Sequence, residues 1–446
     1  MKFLLHSHFP VGHGLPMQAV AQALVNKGHE VLWLAAAGHA ALVKATGARF
    51  VATKAIAASK TGILDEDYAM HENRLLSQVA DYRAVLADFA ADALLVDVFP
   101  YGARALHDLG EIPTYATLGV IPFYTSNPRS PLPTSGARPA ARCLDVVKND
   151  FWHLVNQWIT LPYYLRPIIN SQRKELGLSN VPFGEAPECF KYSPFLHLQA
   201  SSAQLEFYQE PKPQSHRQNV VYVGPLVRPE AGLFSQLPTW WSNIVIHKRV
   251  IGITQGTLAT NPISLIVPAI RALVGYPDAL LVVMSPHIEA IAARVGTPDN
   301  VLYAKWLPYH LLLPQLSLLV TNGGYGSITQ ALSHAVPLIC AGQTEDKMDT
   351  AARVAWCGAG IDLKTDIPSA GAIDIAARVI LSSSRYRERA KNLGLELNML
   401  GGGRRAAYEL EELAIRANES LRDEQNDRRR CSIRNELKVD YVRKYF

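Results

Sequence analysis

Residues 318–340 of this chain, LLVTNGGYGSITQALSHAVPLIC, contain the pattern of one complete βαβ unit. An apolar run at residues 316–321 predicts a buried parallel strand, and it passes directly into a glycine-rich turn at residues 322–327. Apolar residues after the turn recur with helical spacing, and residues 336–340 predict the next strand. The turn therefore lies at the carboxyl end of its strand, where open α/β sheets bind ligands.

The glycines of this turn let the backbone approach a ligand closely, and the free N–H groups at the start of the helix attract an anion. We therefore predict a phosphate-binding turn at residues 322–327. The alternative is a packed corner between strand and helix that needs glycine only for steric room, because glycine turns are common.

Length and composition place the chain among globular proteins with two α/β domains. It has 446 residues, of which 48% are hydrophobic and 19% are charged, and this length suits two domains of ordinary size. The net charge is +5, and much of the excess lies in the tail near residues 428–430. We interpret that tail as a solvated surface and expect no nucleic-acid partner.

The N-terminal half begins with a strand, a turn, a helix and a second strand. Strands are predicted at residues 3–6 and 30–35, and the helix between them is predicted from Met17 to Lys27, just before Gly28. Further apolar runs at residues 93–96 and 114–118 continue this doubly wound α/β pattern.

Two later stretches of the same half have unusual composition. Residues 123–142 are rich in Pro, Ser and Arg and predict a long loop over a binding face. Residues 145–169 are aromatic and apolar, and their spacing favours a pair of helices packed in the core. The functional alternative for this second stretch is the wall of an acceptor pocket or a lid that touches a membrane.

Irregular, proline-containing sequence separates the two halves, and we place the interdomain linker between Val227 and Pro238. The predicted division is an N-terminal domain at residues 1–228 and a C-terminal domain at residues 239–385. Terminal helices are expected at residues 386–418, followed by a charged and loosely ordered extension at residues 419–446.

One histidine and one aspartate form a candidate catalytic pair. His13 lies in a glycine turn after the first strand, and Asp97 follows the strand at residues 93–96, so both are expected to face the same cleft. A histidine suits general base catalysis near neutral pH, and a carboxylate can fix its tautomer. The alternatives are a solvated loop histidine and a carboxylate that caps a helix. His8 lies close by, but no proline follows it three residues later.

With its surroundings, the glycine turn resembles the donor signature of nucleotide-sugar glycosyltransferases, the family of plant and bacterial UDP-glycosyltransferases and macrolide glycosyltransferases. Trp306, Gly324, Ser327 and Asp346 fall at matching spacings. In that family the Trp stacks on uracil, the glycine turn binds the diphosphate, and an Asp-Gln pair holds sugar hydroxyls. The resemblance implies two Rossmann-like domains facing each other across a cleft, the GT-B fold, with the last helix crossing back to the N-terminal domain.

The resemblance also implies an inverting transfer of a hexose from a UDP-sugar to a hydroxyl group. His13, in Gly12-His13-Gly14-Leu15-Pro16, matches the base of a GHxxP-like segment, and Asp97 matches its activating Asp. The residues then expected to bind the donor are Gly256, Thr257, Trp306, Tyr309, Asn322, Gly324, Gly326, Ser327, Gln330, Asp346 and Lys347.

The sequence departs from the family pattern at several of these positions. Asn322 replaces the diphosphate-contacting His of the plant signature, and Gln330 replaces the Glu that clasps the ribose. Lys347 replaces the sugar-holding Gln, which leaves glucuronate open beside glucose, or a pair with Glu345. Tyr309 stands where many members have Gln and is expected to add stacking near the base.

Three other functions compete with a transferase. A nicotinamide-dependent oxidoreductase is poorly supported, because Met17 and Thr329 occupy the positions of the third fingerprint glycine. A nucleotide-sugar epimerase of similar architecture would need further acid–base carboxylates in the cleft. A non-catalytic partner protein that binds only nucleotide or lipid is consistent with the departures at Asn322, Gln330 and Lys347.

The expected partners are a UDP-sugar and a small lipophilic hydroxyl acceptor, with the UDP-sugar as a co-substrate and no cofactor or metal ion. No acidic pair of the DxD type lies beside the glycine turn. The five cysteines lack CxxC or metal-ligand spacing, which suits reduced thiols in the cytoplasm. No signal peptide or run of about 18 apolar residues is apparent. We expect a monomer or weak dimer, with peripheral membrane contact left open.

Overall fold

The computed structural model describes residues 1–56, 74–207, 219–227, 237–246, 249–256, 261–276 and 278–445. Within these ranges the chain forms two α/β domains, each built around a sheet whose strands are all parallel. The two sheets are those expected of two Rossmann-like domains that face each other across a cleft.

The described part of the N-terminal sheet has seven strands in the order β3-β2-β1-β4-β5-β6-β7. These strands are β1 (Lys2–His6), β2 (Glu30–Ala35), β3 (Arg49–Ala52), β4 (Ala93–Val96), β5 (Tyr115–Gly119), β6 (His197–Gln199) and β7 (Val220–Tyr222). The C-terminal sheet has the order β10-β9-β8-β11-β12-β13 over its described strands. They are β8 (Arg249–Thr254), β9 (Ala279–Met284), β10 (Val301–Ala304), β11 (Leu318–Thr321), β12 (Leu338–Cys340) and β13 (Gly360–Asp362).

Helices cover both faces of each sheet. Those of the N-terminal domain are α1 (Val11–Asn26), α2 (Ala40–Lys44), α3 (Arg74–Leu86), α4 (Tyr101–Asp108), α5 (Cys143–Val155), α6 (Arg166–Glu175) and α7 (Glu188–Lys191), with a π-helix at Asn156–Leu165. The remaining helices are α8 (Trp241–Ile246), α9 (Ile266–Leu273), α10 (Ile288–Val295), α11 (Tyr309–Leu312), α12 (Tyr325–Ser333), α13 (Lys347–Cys357), α14 (Ala370–Leu381), α15 (Ser384–Met399) and α16 (Gly402–Tyr445). Short 3₁₀ helices lie at Ala37–His39 and Leu313–Gln315.

The strand order places a topological switch point in each sheet. The order in which strands are added to the sheet reverses between β1 and β4 in the first sheet and between β8 and β11 in the second. The central strands are buried on both faces, which explains why they are continuous apolar runs in the sequence. Ligands of such sheets bind beside the carboxyl ends of the strands at the switch point, and both candidate sites begin there.

The two terminal helices belong to different domains. Helix α15 packs into the C-terminal core through Ala390, Leu393 and Leu397. It therefore does not cross back to the N-terminal domain as the following helix does. Helix α16 returns to the N-terminal domain, where its buried residues join the core around α1. Glu411 of α16 also contacts Lys27 and His29. The helix continues to Tyr445, through most of the segment predicted as a charged extension.

Two local predictions for the N-terminal domain were wrong. Helix α1 begins at Val11, not at Met17, because Pro10 is extended and precedes the first helical residue. His13 therefore lies in the first helical turn. Helix α5 and the π-helix are not packed in the core, since most of their large apolar side chains are exposed. His153 is the buried residue of α5.

A search of the described residues finds no helix long and apolar enough to cross a membrane. In the same ranges, no group of three or more His, Cys, Asp or Glu side chains is placed to hold a metal ion.

Candidate functional site

Asp97, at the carboxyl end of β4, lies between two histidines. Its Oδ2 accepts a hydrogen bond from His13 Nδ1 at 2.8 Å. Its Oδ1 accepts one from His8 Nδ1, and the backbone N–H of His8 donates to Oδ2 at 3.0 Å. Burial raises the pKa of Asp97, but His8 and His13 outweigh it and hold the pKa well below the usual range. The carboxyl group is therefore ionised and bound by both imidazoles.

The two histidines differ in their access to the cleft. The His13 side chain is 13% exposed, whereas that of His8 is fully buried. Because an ionised carboxylate can only accept, the contact with Asp97 assigns the proton of His13 to Nδ1. Nε2 of His13 is then left with a lone pair, as a general base requires.

Two further histidines surround this pair. His6 is buried on β1, its Nδ1 lies 2.6 Å from the Tyr82 hydroxyl, and burial lowers its pKa to about 3. His39 packs against Gly14, and burial also lowers its pKa. Both rings therefore stay neutral near pH 7 and add no positive charge beside His13.

On the opposite side of the cleft, Gly256 after β8 and Asn322 after β11 lie next to each other. Gly256 has φ +75°, and a Cβ atom there would lie 3.1 Å from Asn322 Oδ1. Within the described ranges, the buried Oδ1 of Asn322 has no hydrogen-bond partner. The predicted contact of Thr257 with the donor lies outside the described residues.

The first turn of α12 presents free backbone donors beside Asn322. Gly324 precedes the helix, and its carbonyl accepts the first helical hydrogen bond, from Ile328 at 3.1 Å. The N–H groups of Tyr325, Gly326 and Ser327 therefore precede the hydrogen-bonded part of the helix, which is the arrangement that can attract an anion.

Three predicted donor-binding residues around this turn differ in their exposure and in their hydrogen-bond partners. Trp306 follows β10 and is 55% exposed, so its indole ring is accessible to a base. Tyr309 is largely buried against the C-terminal core, and its hydroxyl interacts with Ser327 and Thr254. Its hydroxyl therefore contacts the glycine turn, and the stacking expected of its ring stays a prediction. Gln330 donates its amide to the Gly326 carbonyl at 3.0 Å.

Asp346 is the N-cap residue of helix α13, and Lys347 is the first residue of the helix. Burial raises the pKa of Asp346 to about 6, with His13 among the groups that oppose this shift. Lys347 forms a partly buried ion pair with Glu345, and its Nζ lies 3.4 Å from the Thr344 hydroxyl. Glu345 has φ +56°, an uncommon conformation for a residue with a side chain.

The long loop at residues 123–142 joins the two halves of the site. Its Thr134 and Gly136 donate backbone N–H groups to the carboxylate of Asp349 in α13, at 2.6 and 2.9 Å. This loop was predicted to cover a binding face, and it contacts helix α13, whose N-cap residue is Asp346. His13 also acts electrostatically on Asp346 across the cleft.

Sequence reasoning missed a polar cluster at the domain boundary. Tyr325, Glu206 and Arg353 are buried, and Glu206 accepts hydrogen bonds from both of the other side chains. Tyr325 lies within the predicted phosphate-binding turn, but no role was predicted for its side chain. No motif marks the other two, because each becomes informative only once its partner in the other domain is known.

Comparisons with known proteins agree with this architecture. Residues 273–401 match the family model described as "Erythromycin biosynthesis protein CIII-like, C-terminal domain". The 4'-demethylrebeccamycin synthase of Lentzea aerocolonigenes is 32% identical over 401 residues, which cover 86% of this chain and 92% of that protein. UDP-glucosyltransferase B1 of Starmerella bombicola is 27% identical, with coverage of 86% and 92%.

Two solved structures show the same fold. The glycotransferase of kitacinnamycin has a TM-score of 0.71 at 21% identity, over 92% of this chain and 98% of that one. The spinosyn rhamnosyltransferase SpnG complexed with thymidine diphosphate has a TM-score of 0.63 at 20% identity, over 92% and 100%.

Proposed function

Because the chain belongs to the UDP-glycosyltransferase-like family of nucleotide-sugar-dependent glycosyltransferases, we propose that it is an inverting enzyme with His13 as its general base. The proposed reaction moves a hexose from a UDP-sugar, by default UDP-glucose, to a hydroxyl of a small lipophilic acceptor. The observation that carries this proposal is the contact between His13 Nδ1 and Asp97 Oδ2, with His13 accessible at the cleft.

In the proposed step, Nε2 of His13 removes the proton of the acceptor hydroxyl as its oxygen attacks the anomeric carbon. The bond from that carbon to the diphosphate oxygen breaks, and UDP leaves with the electron pair. Asp97 stabilises the imidazolium that forms. The N–H groups at the start of α12 stabilise the growing negative charge on the diphosphate.

Specificity for the nucleotide base and specificity for the sugar are proposed to follow from different residues. The exposed indole of Trp306 suits stacking on a pyrimidine, and a relative is named as a UDP-glucosyltransferase. A structural neighbour bound to thymidine diphosphate makes dTDP-sugars the alternative donors. Because Glu345 already neutralises Lys347, the site favours a neutral hexose over glucuronate. Asp346 is left to accept sugar hydroxyls.

The acceptor is proposed to be lipophilic because the surface of the N-terminal domain is unusually apolar. Exposed aromatic and aliphatic side chains follow one another along α5 and the π-helix: Leu144, Val147, Phe151, Trp152, Leu154, Trp158, Ile159, Tyr163 and Tyr164. Helix α5 is tied to the loop above the cleft through His153, whose Nε2 lies 2.9 Å from the Ser130 carbonyl. An apolar acceptor would find contacts along this side of the site.

The test of this function is product analysis with an acceptor library. The full chain is incubated with UDP-glucose, UDP-glucuronate or dTDP-glucose, and products are identified by mass spectrometry. We expect hexosides from UDP-glucose and undiminished activity after treatment with a chelator. Acceptor-independent epimerisation, or nucleotide binding without any product, would favour the epimerase or the non-catalytic alternative.

Lys347→Gln refines the assignment of the sugar. With Lys347 held by Glu345, this substitution should leave the ratio of activities with UDP-glucose and UDP-glucuronate nearly unchanged. A selective loss of activity with UDP-glucuronate would show that Lys347 leaves Glu345 to bind a sugar carboxylate.

A further inference from the structure

The side chain of Tyr325 leaves the donor domain although its backbone forms the first turn of α12. It is 4% exposed and packs in the N-terminal core together with residues of β6 and α16. Its hydroxyl accepts a hydrogen bond from Gln199 Nε2 at 2.5 Å and donates one to Glu206. The turn expected to bind the diphosphate is therefore anchored in the opposite domain.

Glu206 connects this anchor to a second helix of the donor domain. Its Oε2 accepts hydrogen bonds from Arg353 Nε at 2.9 Å and from the Phe123 backbone at 2.8 Å. Arg353 also donates to the Phe123 carbonyl at 2.8 Å and to the Asp349 carbonyl at 3.1 Å. Since Phe123 begins the loop at residues 123–142, the same cluster joins this loop, α12 and α13.

The burial of this cluster makes it stiff. The Glu206 side chain is fully buried and that of Arg353 is 6% exposed. A buried ion pair is costly to disrupt, because removal of one partner leaves the other charge unpaired in a medium of low dielectric. The guanidinium also lies 4.3 Å above the Phe207 ring. Few alternative arrangements are therefore open to the first turns of α12 and α13.

From this geometry we infer that Tyr325 is a positioning residue for the donor. Its hydroxyl holds the N-terminal turn of α12 against Gln199 and Glu206. The free N–H groups of that turn then face His13, the proposed general base, across the cleft. The inference rests on the proposed function only where it assigns the diphosphate to this turn. The anchoring of the turn is a property of the protein without ligand.

The test compares Tyr325→Phe with Tyr276→Phe in the full chain. Tyr276 is a matched control because its hydroxyl also donates to a carboxylate, Asp374 at 2.7 Å, and Asp374 lies in α14, which is not part of the candidate site. Affinity for UDP is measured by calorimetry, and backbone hydrogen exchange is measured by mass spectrometry on peptides that cover residues 321–331. Glu206→Gln, which keeps the shape of the side chain, serves as a second variant.

We expect Tyr325→Phe to raise the Kd for UDP about 5-fold or more and to speed exchange in the 321–331 peptides, while Tyr276→Phe changes neither. Glu206→Gln should change both quantities in the same direction. Unchanged exchange and affinity in Tyr325→Phe would overturn the inference, even if thermal stability falls. If the wild-type chain binds no UDP, the proposed function fails, and the exchange data alone decide whether Tyr325 anchors the turn.

Discussion

Asp97 and its histidines are held by hydrogen bonds within one domain, whereas the first turn of α12 is held from the opposite domain by Tyr325. All the charged groups of the first arrangement belong to the N-terminal domain. The second exists only when the two domains are docked. If the proposed function is right, the groups for acid–base chemistry belong to one domain, and we expect donor affinity to depend on the relative position of both domains.

The largest expected effect tests the arrangement that lies within one domain, the pair of His13 and Asp97. His13→Ala removes the base, so turnover should fall by at least about 10²-fold, the low end for loss of a general base, with the Kd for UDP nearly unchanged. Asp97→Asn should act in the same direction but more mildly, because the geometry survives while control of the tautomer weakens. Steady-state kinetics with one acceptor and calorimetry with UDP measure the two effects. Near-normal turnover in a folded His13→Ala variant would reject His13 as the base.

The next largest effect concerns binding of the nucleotide base of the donor. Trp306→Ala removes the exposed ring, so the donor KM should rise by roughly 5- to 150-fold, the range for loss of about 1–3 kcal/mol of base stacking. The increase should be equal for every UDP-sugar, because the base is common to all. An increase that differs between UDP-sugars would place Trp306 against the sugar instead of the base.

A smaller effect should appear in the pH dependence of donor binding. Burial raises the pKa of Asp346 from 3.8 to about 6, so the carboxyl becomes protonated as the pH falls below about 6. It then loses part of its capacity to accept sugar hydroxyls, and the donor KM should rise. Because the folded protein binds this proton more tightly than the unfolded chain does, protonated Asp346 favours the folded state. This contribution to the free energy of unfolding is lost as the pH rises through about 6.

Asp346→Asn separates this effect from titration of the base. The variant should have a higher donor KM at pH 8, a flatter KM between pH 5 and 8, and a higher melting temperature than the wild type at pH 8. A wild-type KM that stays constant down to pH 5 would contradict the role given to Asp346.

The smallest predicted effect tests whether His8 and His13 share one carboxylate. His8→Phe removes the side-chain donor to Asp97 Oδ1, while the backbone N–H of His8 still donates to Oδ2. The carboxylate is then held less firmly against His13, so kcat should fall, but less than in Asp97→Asn. Steady-state kinetics of the two variants with one acceptor measure the difference. A kcat equal to that of the wild type would show that His13 and Asp97 act without the side chain of His8.

The same contrast explains what the sequence revealed. The glycine turn after β11 and the pair of His13 and Asp97 were recognisable because strand ends, glycines and short motifs are local signals. The exposure of α5 was not predictable, since an apolar periodicity does not say whether a partner surface covers it. Nor was the cluster of Tyr325, Glu206 and Arg353, because its members pair only through the tertiary structure. The start of α1 at Val11 was missed because glycines and prolines in residues 10–16 suggested a turn.

The central claim is that His13 activates an acceptor hydroxyl for direct displacement of UDP. The anomeric configuration of the product tests it most directly. The glycoside formed from UDP-α-glucose is isolated, and the coupling constant of its anomeric proton is read by NMR spectroscopy. One displacement with His13 as the base predicts the β-glucoside. An α-glucoside would require a different mechanism and would contradict the account.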